Sequence, residues 1–362
     1  MQKLITIVGP TASGKTDLSL ALAKKYNGYV IAADSRTIYK EMDIGTAKPA
    51  IEDLQSSFLE EGGAVGDGRC YPSQKMLFVK KIPHFGINLI PPTETFSAAE
   101  FKKYAEDIIY CHCERNKEKF ELTASRAEIA SSRTPRNDSE KNSVSSPLFT
   151  KEEAGGGLPI PFIVGGTGLY VSAIVDNLSF PAAPPNETFR KEKNDIDLSI
   201  LVADLLQKDP AAEKVVDLKN KRRVIRALEV INHTGKLFSD LYKKGPQKYN
   251  VLMLGVKRDR EEIYKRVNAR VDQMLTQGFE EECINLRGKY GCNAPGMSAI
   301  GYSQFCKYLN GELSKEEAVE NWKQAEKNYA KRQFTWFNKD KRIHWVKNTQ
   351  EAEKLIESYL SS

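Results

Sequence analysis

Five short apolar runs punctuate the chain, at residues 3–8, 29–33, 160–164, 251–256 and 343–346. They do not alternate with polar positions, as expected of strands buried on both faces of a parallel sheet. Between them, apolar positions recur at helical spacing. Residues 16–26 carry Leu18, Leu20, Ala21, Leu22 and Ala23, and residues 98–110 follow Ser97, a favourable N-cap. Residues 221–232, 260–277, 314–337 and 349–360 read as helices by the same spacing. Strand alternating with helix predicts an α/β fold, a parallel sheet flanked by helices.

Three segments break the pattern. Residues 55–80 hold Gly62, Gly63, Gly66 and Gly68 with little periodicity. Residues 115–157 are rich in Ser, Lys, Glu and Arg and end in Gly155-Gly156-Gly157; with few large apolar side chains to bury, they are expected to form a disordered insertion. The third segment opens at Phe180-Pro181-Ala182-Ala183-Pro184-Pro185, which cannot continue a helix. Helices expected at 186–207 and 210–217 would make 176–220 a small inserted helical subdomain. The expected organisation is a catalytic core from 1–175 and 221–348, that insertion, and a C-terminal helix at 349–362.

Composition narrows the class. The 362 residues are 40% hydrophobic, enough for a substantial core. No apolar run reaches the roughly 18 residues of a membrane span. Met1-Gln2-Lys3 leads straight into a strand-like run with no signal-peptide pattern, so a cytoplasmic protein with reduced cysteines is expected. The six cysteines form no C-x2-C pair, and Cys111-His112-Cys113 would point to different faces of a helix, so no metal cluster is expected. His84, His233 and His344 stand alone and are expected to be structural. The net charge of +6 is modest, but its distribution is uneven. Lys219, Lys221, Arg222, Arg223 and Arg226 fall in eight residues without an acid. Residues 327–342 hold six basic residues against one acid, interleaved with Tyr329, Phe334, Trp336 and Phe337. Either cluster suits a solvated helix face as well as nucleic-acid contact.

The sharpest signal is Gly9-Pro10-Thr11-Ala12-Ser13-Gly14-Lys15-Thr16, which satisfies G-x-x-x-x-G-K-[ST] after a strand and before a helix. Such a phosphate loop turns backbone N–H groups and a helix N-terminus toward phosphate oxygens. Lys15 supplies a mobile charge, and the Thr16 hydroxyl can ligate Mg²⁺. The motif predicts a bound di- or triphosphate in a P-loop NTPase-like core, without requiring ATP. A departing pyrophosphate needs the same cradle as a transferred phosphoryl group. Asp34 closes the second strand at the edge where α/β sheets bind ligands. It could hold Mg²⁺ through water or act as a general base. Arg36 follows it and could bind phosphate or a nucleic-acid backbone. Ile163-Val164-Gly165-Gly166-Thr167-Gly168 forms a second strand–glycine unit, whose glycines are turn formers or admit a large substrate close to the backbone.

Together these motifs carry a family resemblance. To the phosphate loop and Ala33-Asp34-Ser35-Arg36 are added Met42-Asp43-Ile44-Gly45-Thr46-Ala47-Lys48-Pro49 and Gly165-Gly166-Thr167-Gly168-Leu169-Tyr170. Arg223-Val224-Ile225-Arg226-Ala227-Leu228-Glu229, Ala299-Ile300-Gly301-Tyr302 and Tyr329-Ala330-Lys331-Arg332-Gln333-Phe334-Thr335-Trp336-Phe337 complete it. In this combination the chain resembles the bacterial tRNA isopentenyl transferases, the tRNA dimethylallyltransferase family. The resemblance implies transfer of a dimethylallyl group from dimethylallyl diphosphate to the exocyclic amine of adenosine 37 in tRNA, with Mg²⁺ assisting and the target base flipped from its stack. It implies Asp34 as general base, and Thr11 and Arg223 as stabilisers of the departing diphosphate. It assigns Gly9, Pro10, Thr11, Ala12, Ser13, Gly14, Lys15 and Thr16 to diphosphate binding, with Thr16 on the metal. It gives Asp34, Ser35, Arg36, Thr37, Thr167, Arg270 and Met274 as contacts to the anticodon stem-loop. A monomer without membrane attachment is expected. The alternatives are a small-molecule P-loop kinase and prenyl transfer to free AMP or ADP. A GTPase is disfavoured, because Asn338-Lys339-Asp340-Lys341 misplaces the acid of a guanine-reading N-K-x-D.

Overall fold

The computed structural model describes residues 1–52, 77–111 and 159–362. The expectations for residues 53–76 and 112–158 lie outside the described residues, among them the disordered insertion and most of Cys111-His112-Cys113. The chain divides into two compact units, one of residues 1–171 with 249–362 and one of residues 172–248.

The first unit is built on a seven-stranded sheet in the order β3-β4-β2-β5-β1-β6-β7. The strands are β1 (Gln2–Val8), β2 (Gly28–Ala32), β3 (Leu77–Val79), β4 (Ile82–Phe85), β5 (Ile160–Gly165), β6 (Tyr249–Val256) and β7 (Ile343–Val346). All pairs are parallel except the β3–β4 hairpin. This is the expected α/β architecture, with all five predicted strands present. β3 and β4 were not expected, because Ile82-Pro83-His84-Phe85 carries a proline and a histidine and lacks a β-branched run.

Two apolar layers hold the sheet. Ile5 and Ile7 of β1, Phe162 of β5 and Leu254 of β6 pack against Leu18 and Leu22 of α1 (Lys15–Lys25) and Ile356 of α12 (Thr349–Ser361). Full burial of each such side chain is worth about 1.5–3 kcal/mol. A separate cluster joins Ile38, Tyr39 and Met42, which follow β2, to a helical layer. That layer comprises α8 (Arg260–Thr276), α9 (Phe279–Tyr290), α10 (Tyr302–Leu309) and α11 (Lys315–Phe337). Phe279, Phe305 and the fully buried Trp322 meet at its centre, Phe305 edge-on to each of the other two rings. Residues 98–111 form α2. The long α11 begins at a reciprocal cap: Ser314 Oγ accepts the Glu317 N–H at 3.1 Å, and Glu317 Oε2 accepts the Ser314 N–H at 2.7 Å. Among the described residues no helix is long and apolar enough to cross a membrane.

Cys292 and Cys306 are joined as a disulfide, with Cα atoms 5.8 Å apart, so the expectation of reduced cysteines does not hold for this pair. The loop after α9 and helix α10 share one apolar cluster, which brings together two residues that no spacing motif connects.

The chain passes from the first unit to the second within α3 (Gly168–Val175). The second unit is helical and larger than the expected 176–220. Helix α6 (Lys221–Thr234), expected in the core, buries Val224, Ile225, Ala227 and Leu228 against Leu201 and Leu205 of α5 (Leu198–Lys208). The single helix expected at 186–207 is split into α4 (Glu187–Asn194) and α5, because the Asp197 carboxylate caps the Ser199 N–H at 2.7 Å and starts a new helix. The 210–217 helix is a 3-10 turn at Pro210–Lys214, and α7 (Phe238–Leu241) follows α6. Glu229 is buried and ion-paired with Arg190 and Arg226, which ties α4 to α6.

Candidate active site

The carboxyl ends of β1, β2 and β5 deliver the phosphate loop, Asp34 and the second glycine loop to one edge of the sheet, where parallel sheets bind their ligands. Two cavities meet there, of about 220 and 320 Å³. Thr11, Asp34, Thr46, Ala47, Arg270 and Tyr329 line both.

The smaller cavity is walled by residues 11–17 on one side and by Val30, Ala32, Ile87 and Val164 on the other. The Lys15 ammonium folds back onto the Pro10 carbonyl at 2.6 Å. Desolvation, with Arg270 nearby and only Asp34 opposing, pushes its pKa down to about 7. Three arginines grip the loop from outside. Arg258 Nε donates to the Ser13 carbonyl at 2.6 Å, Arg266 Nε to the Ala12 carbonyl at 2.8 Å, and an Arg270 guanidinium nitrogen to Thr11 Oγ1 at 3.0 Å. The Ala12 and Ser13 carbonyls are thereby occupied, and the first-turn N–H groups of α1, which have no intrahelical partner, are left for an anion. Ala12 is buried against Ile263, Val267 and Ala330, so α8 and α11 fix the loop's shape.

The larger cavity pairs an apolar floor of Val267, Val271, Met274, Ile300 and Trp322 with Asp34, Ser35, Arg36, Glu326 and Arg332. The Arg36 N–H donates to Asp34 Oδ1 at 2.8 Å, which orients the carboxylate. Tyr329 stays a neutral phenol, its pKa raised by burial and by the charge of Asp34. Burial likewise raises the pKa of Glu326, against the opposing charge of Arg270.

The second glycine loop proves to admit the protein's own backbone and side chains. A Cβ on Gly165 would lie 2.0 Å from the Ala33 carbonyl oxygen, and one on Gly166 would lie 2.0 Å from Gln333 Nε2. These close approaches press β5 onto the residue before Asp34 and let α11 reach the phosphate loop. Thr167, expected on tRNA, uses its hydroxyl to accept the Ser35 N–H at 3.0 Å. Thr37 is buried with its hydroxyl unpaired and lines the smaller cavity beside the phosphate loop. Arg270 reaches the phosphate loop as well as the larger cavity, whereas Met274 lines the larger one alone of the two. Arg223 stands on α6 of the second unit, its N–H capped by Asn220. His84 is buried on β4 with Nδ1 2.9 Å from the Ile82 carbonyl, and its ring lines the smaller cavity.

Arg258, Arg266 and Glu282 went unmarked in the sequence, and Tyr329 and Gln333 stood in the Tyr329–Phe337 motif without an assigned role. For the arginines a signal existed: 258, 266 and 270 recur at multiples of four, Arg266 and Arg270 one turn apart on α8 and Arg258 just ahead of it. Glu282 left none. Its carboxylate accepts the N–H groups of Asp43, Ile44 and Gly45 at 2.9, 2.8 and 3.1 Å and the Tyr302 hydroxyl at 2.5 Å. It therefore holds the turn that carries Thr46 and Ala47 into both cavities. Glu282→Ala orphans these donors and is expected to cost about 2–4 kcal/mol in denaturant unfolding, with a matching loss of activity. Unchanged stability and activity would show that the turn stands without it.

The IPP transferase family model matches residues 153–340, and an isopentenyl transferase model matches residues 2–65. The chain belongs to the IPP transferase family. Among its relatives, a tRNA dimethylallyltransferase of Caldanaerobacter subterraneus subsp. tengcongensis is 35% identical over 99% of this chain and 98% of its own length. One from Anoxybacillus flavithermus is 33% identical over 97% of this chain and 92% of its own length. The crystal structure of the full-length tRNA isopentenylpyrophosphate transferase of Bacillus halodurans superposes with a TM-score of 0.62 at 30% identity, covering 100% of this chain and 97% of that one. As an IPP transferase, the protein is an enzyme of prenyl transfer.

Proposed function

We propose that the protein transfers the dimethylallyl group of dimethylallyl diphosphate to the exocyclic amine of adenosine 37 in the anticodon stem-loop of tRNA and releases diphosphate. The observation that carries this reading is the junction of the two cavities at Thr11, Asp34, Arg270 and Tyr329. It sets a phosphate cradle and a carboxylate-bearing acceptor chamber side by side.

The diphosphate lies in the smaller cavity against Lys15 and the first turn of α1, with Arg266 and Arg270 adding positive charge. As the carbon–oxygen bond breaks, its electron pair passes to the bridging oxygen, and these donors stabilise the charge that develops. The adenine amine enters the larger cavity and bonds to the allylic carbon, while Asp34 accepts the proton that leaves nitrogen. The resemblance adds Arg223 as a further counter-charge for the diphosphate, and Ser35, Arg36, Thr37, Thr167 and Met274 as tRNA contacts. An adenosine reaches such a chamber only by leaving its stack.

A divalent cation suits the donor set. Thr16, Asp17 and Asp34 all line the diphosphate cavity, and the buried Thr37 hydroxyl there has no partner. Among the described residues no group of three or more His, Cys, Asp or Glu would hold a metal unaided. Mg²⁺ on Thr16 would complete its shell with substrate oxygens and water and would supply charge to the leaving group. The protein is read as a cytoplasmic monomer.

The test is mass spectrometry of nucleosides from an unmodified tRNA transcript incubated with the protein, Mg²⁺ and dimethylallyl diphosphate. One prenyl group gained on adenosine, and lost when position 37 is replaced, is the expected result. Gain on AMP but not on tRNA would change the acceptor, and ATP consumption with neither would make the protein a kinase.

A further inference from the structure

Thr11 sits at the junction of the two cavities, and its hydrogen-bonding capacity can be accounted for group by group. Its N–H donates to Gln333 Oε1 at 2.7 Å, so it is withheld from the diphosphate. The Gln333 amide cannot turn over without loss, because its Nε2 donates to the Gly166 carbonyl at 2.9 Å and Gln333 is buried. Thr11 Oγ1 accepts from Arg270 at 3.0 Å. A guanidinium has donors only, so Thr11 is the acceptor in that contact. What remains to Thr11 Oγ1 is its proton and one lone pair, in a position lining both cavities.

Resting on the proposed reaction, we infer that Arg270, with Gln333 holding the backbone beneath, is a positioning residue that turns the Thr11 hydroxyl into a committed donor to the bridging oxygen of the allylic diphosphate. The step involves no proton transfer. The carbon–oxygen bond breaks, its electron pair goes to the bridging oxygen, and the Thr11 hydroxyl hydrogen-bonds the oxygen as that charge grows. A free threonine hydroxyl could accept from an amine or donate to an oxygen by rotation. Arg270 fills one of the two lone pairs and turns the proton away from its own N–H groups, which biases the hydroxyl toward donation before substrate arrives. Arg270 is held in turn by its surroundings: the carboxylates of Glu326 and Asp34 face it across the larger cavity, and Arg266 lies one turn back on α8. This places Arg270 on the diphosphate side of the junction, where the resemblance assigned it to tRNA.

Single-turnover rate constants for prenyl transfer and equilibrium affinities for tRNA, measured on Arg270→Met, Thr11→Val and the double variant, test the assignment. Each single change is expected to slow transfer by about 10²-fold, the loss typical of one preorganised donor. The double variant is expected within about threefold of the slower single variant, because both changes delete one shared device. Affinity for tRNA should change less than about threefold. Multiplicative losses near 10⁴-fold would mean that Arg270 acts on the diphosphate independently of Thr11. A weaker tRNA affinity with an unchanged rate constant would return Arg270 to the RNA surface. Either result overturns the inference while wild-type transfer leaves the proposed reaction standing. Absence of transfer by the wild-type protein would overturn both. Should Arg270→Met fail to fold, Arg270→Lys keeps the charge with a single shorter donor, and the same cycle is read on it.

Discussion

Asp34→Asn should slow prenyl transfer by about 10²–10⁴-fold, the span of a lost general base, while tRNA affinity stays within a few-fold. The exchange is close to isosteric. The Arg36 N–H that now donates to Asp34 Oδ1 at 2.8 Å finds the same acceptor in an asparagine amide oxygen, so the turn after β2 keeps its shape. The amide cannot take the proton of the adenine amine. Asp34 also helps to keep Lys15 charged, and its removal lowers the Lys15 pKa further. The comparison therefore belongs at pH 6 with saturating dimethylallyl diphosphate, whose charge favours the protonated lysine in both proteins. A rate within threefold of wild type at that pH would remove Asp34 as the base.

Lys15→Met should reduce kcat/KM for dimethylallyl diphosphate by about 10³-fold, comparable to the loss of a strong transition-state donor. It should also erase a pH dependence. In the empty protein the Lys15 pKa lies near 7 against an ordinary value of 10.5. A bound diphosphate favours the charged form and raises it again. Above pH 7 binding then requires proton uptake. Affinity should be full below pH 7 and weaken by up to tenfold per unit above it, until the pKa of the bound state is reached. Calorimetric titration in two buffers of different ionisation enthalpy reads that uptake directly. Stability of the empty protein moves the other way. Between pH 7 and 10.5 the unfolded lysine holds more proton than the folded one, so this group makes unfolding harder as pH rises. An unchanged affinity profile in Lys15→Met would assign the titration to another group.

The phosphate loop and the α/β sheet were legible in the sequence because both are local. Gly14-Lys15-Thr16 announces itself in consecutive residues, and each of β1, β2, β5, β6 and β7 is a mostly apolar run. What escaped is set by tertiary contact. Periodicity reveals that α8 is a helix but not which neighbour its arginines meet, so Arg270 was read toward RNA while Arg266, and Arg258 just before the helix, went unread. Gln333 sat in a motif without a role, since nothing along the chain says that α11 passes over Gly166. The Glu282 carboxylate serves a turn some 240 residues away in sequence, a pairing that no local propensity encodes. The same holds for α6: its apolar face is plain in the sequence, but the choice between the core and the helices of the second unit is made by packing against Leu201 and Leu205.

The position of β1 in the sheet bears on how the protein is made. β1 lies near the middle of the sheet, between β5 and β6, and its register joins Ile5 to Phe162 on one side and Leu252 on the other. On the ribosome it emerges long before either neighbour. β2 and the β3–β4 hairpin can pair as soon as they appear, but β5 must arrive to bridge β2 to β1, and the whole second unit is synthesised before β6 can close the other edge. The strand that carries the phosphate loop is thus without a partner until β5 has been made, and paired on one side only until β6 follows. Long-range pairing of this kind is slow and exposes a chain to aggregation. Yield in the cell should therefore depend on what shields those seven residues, Gln2–Val8, until the later strands arrive.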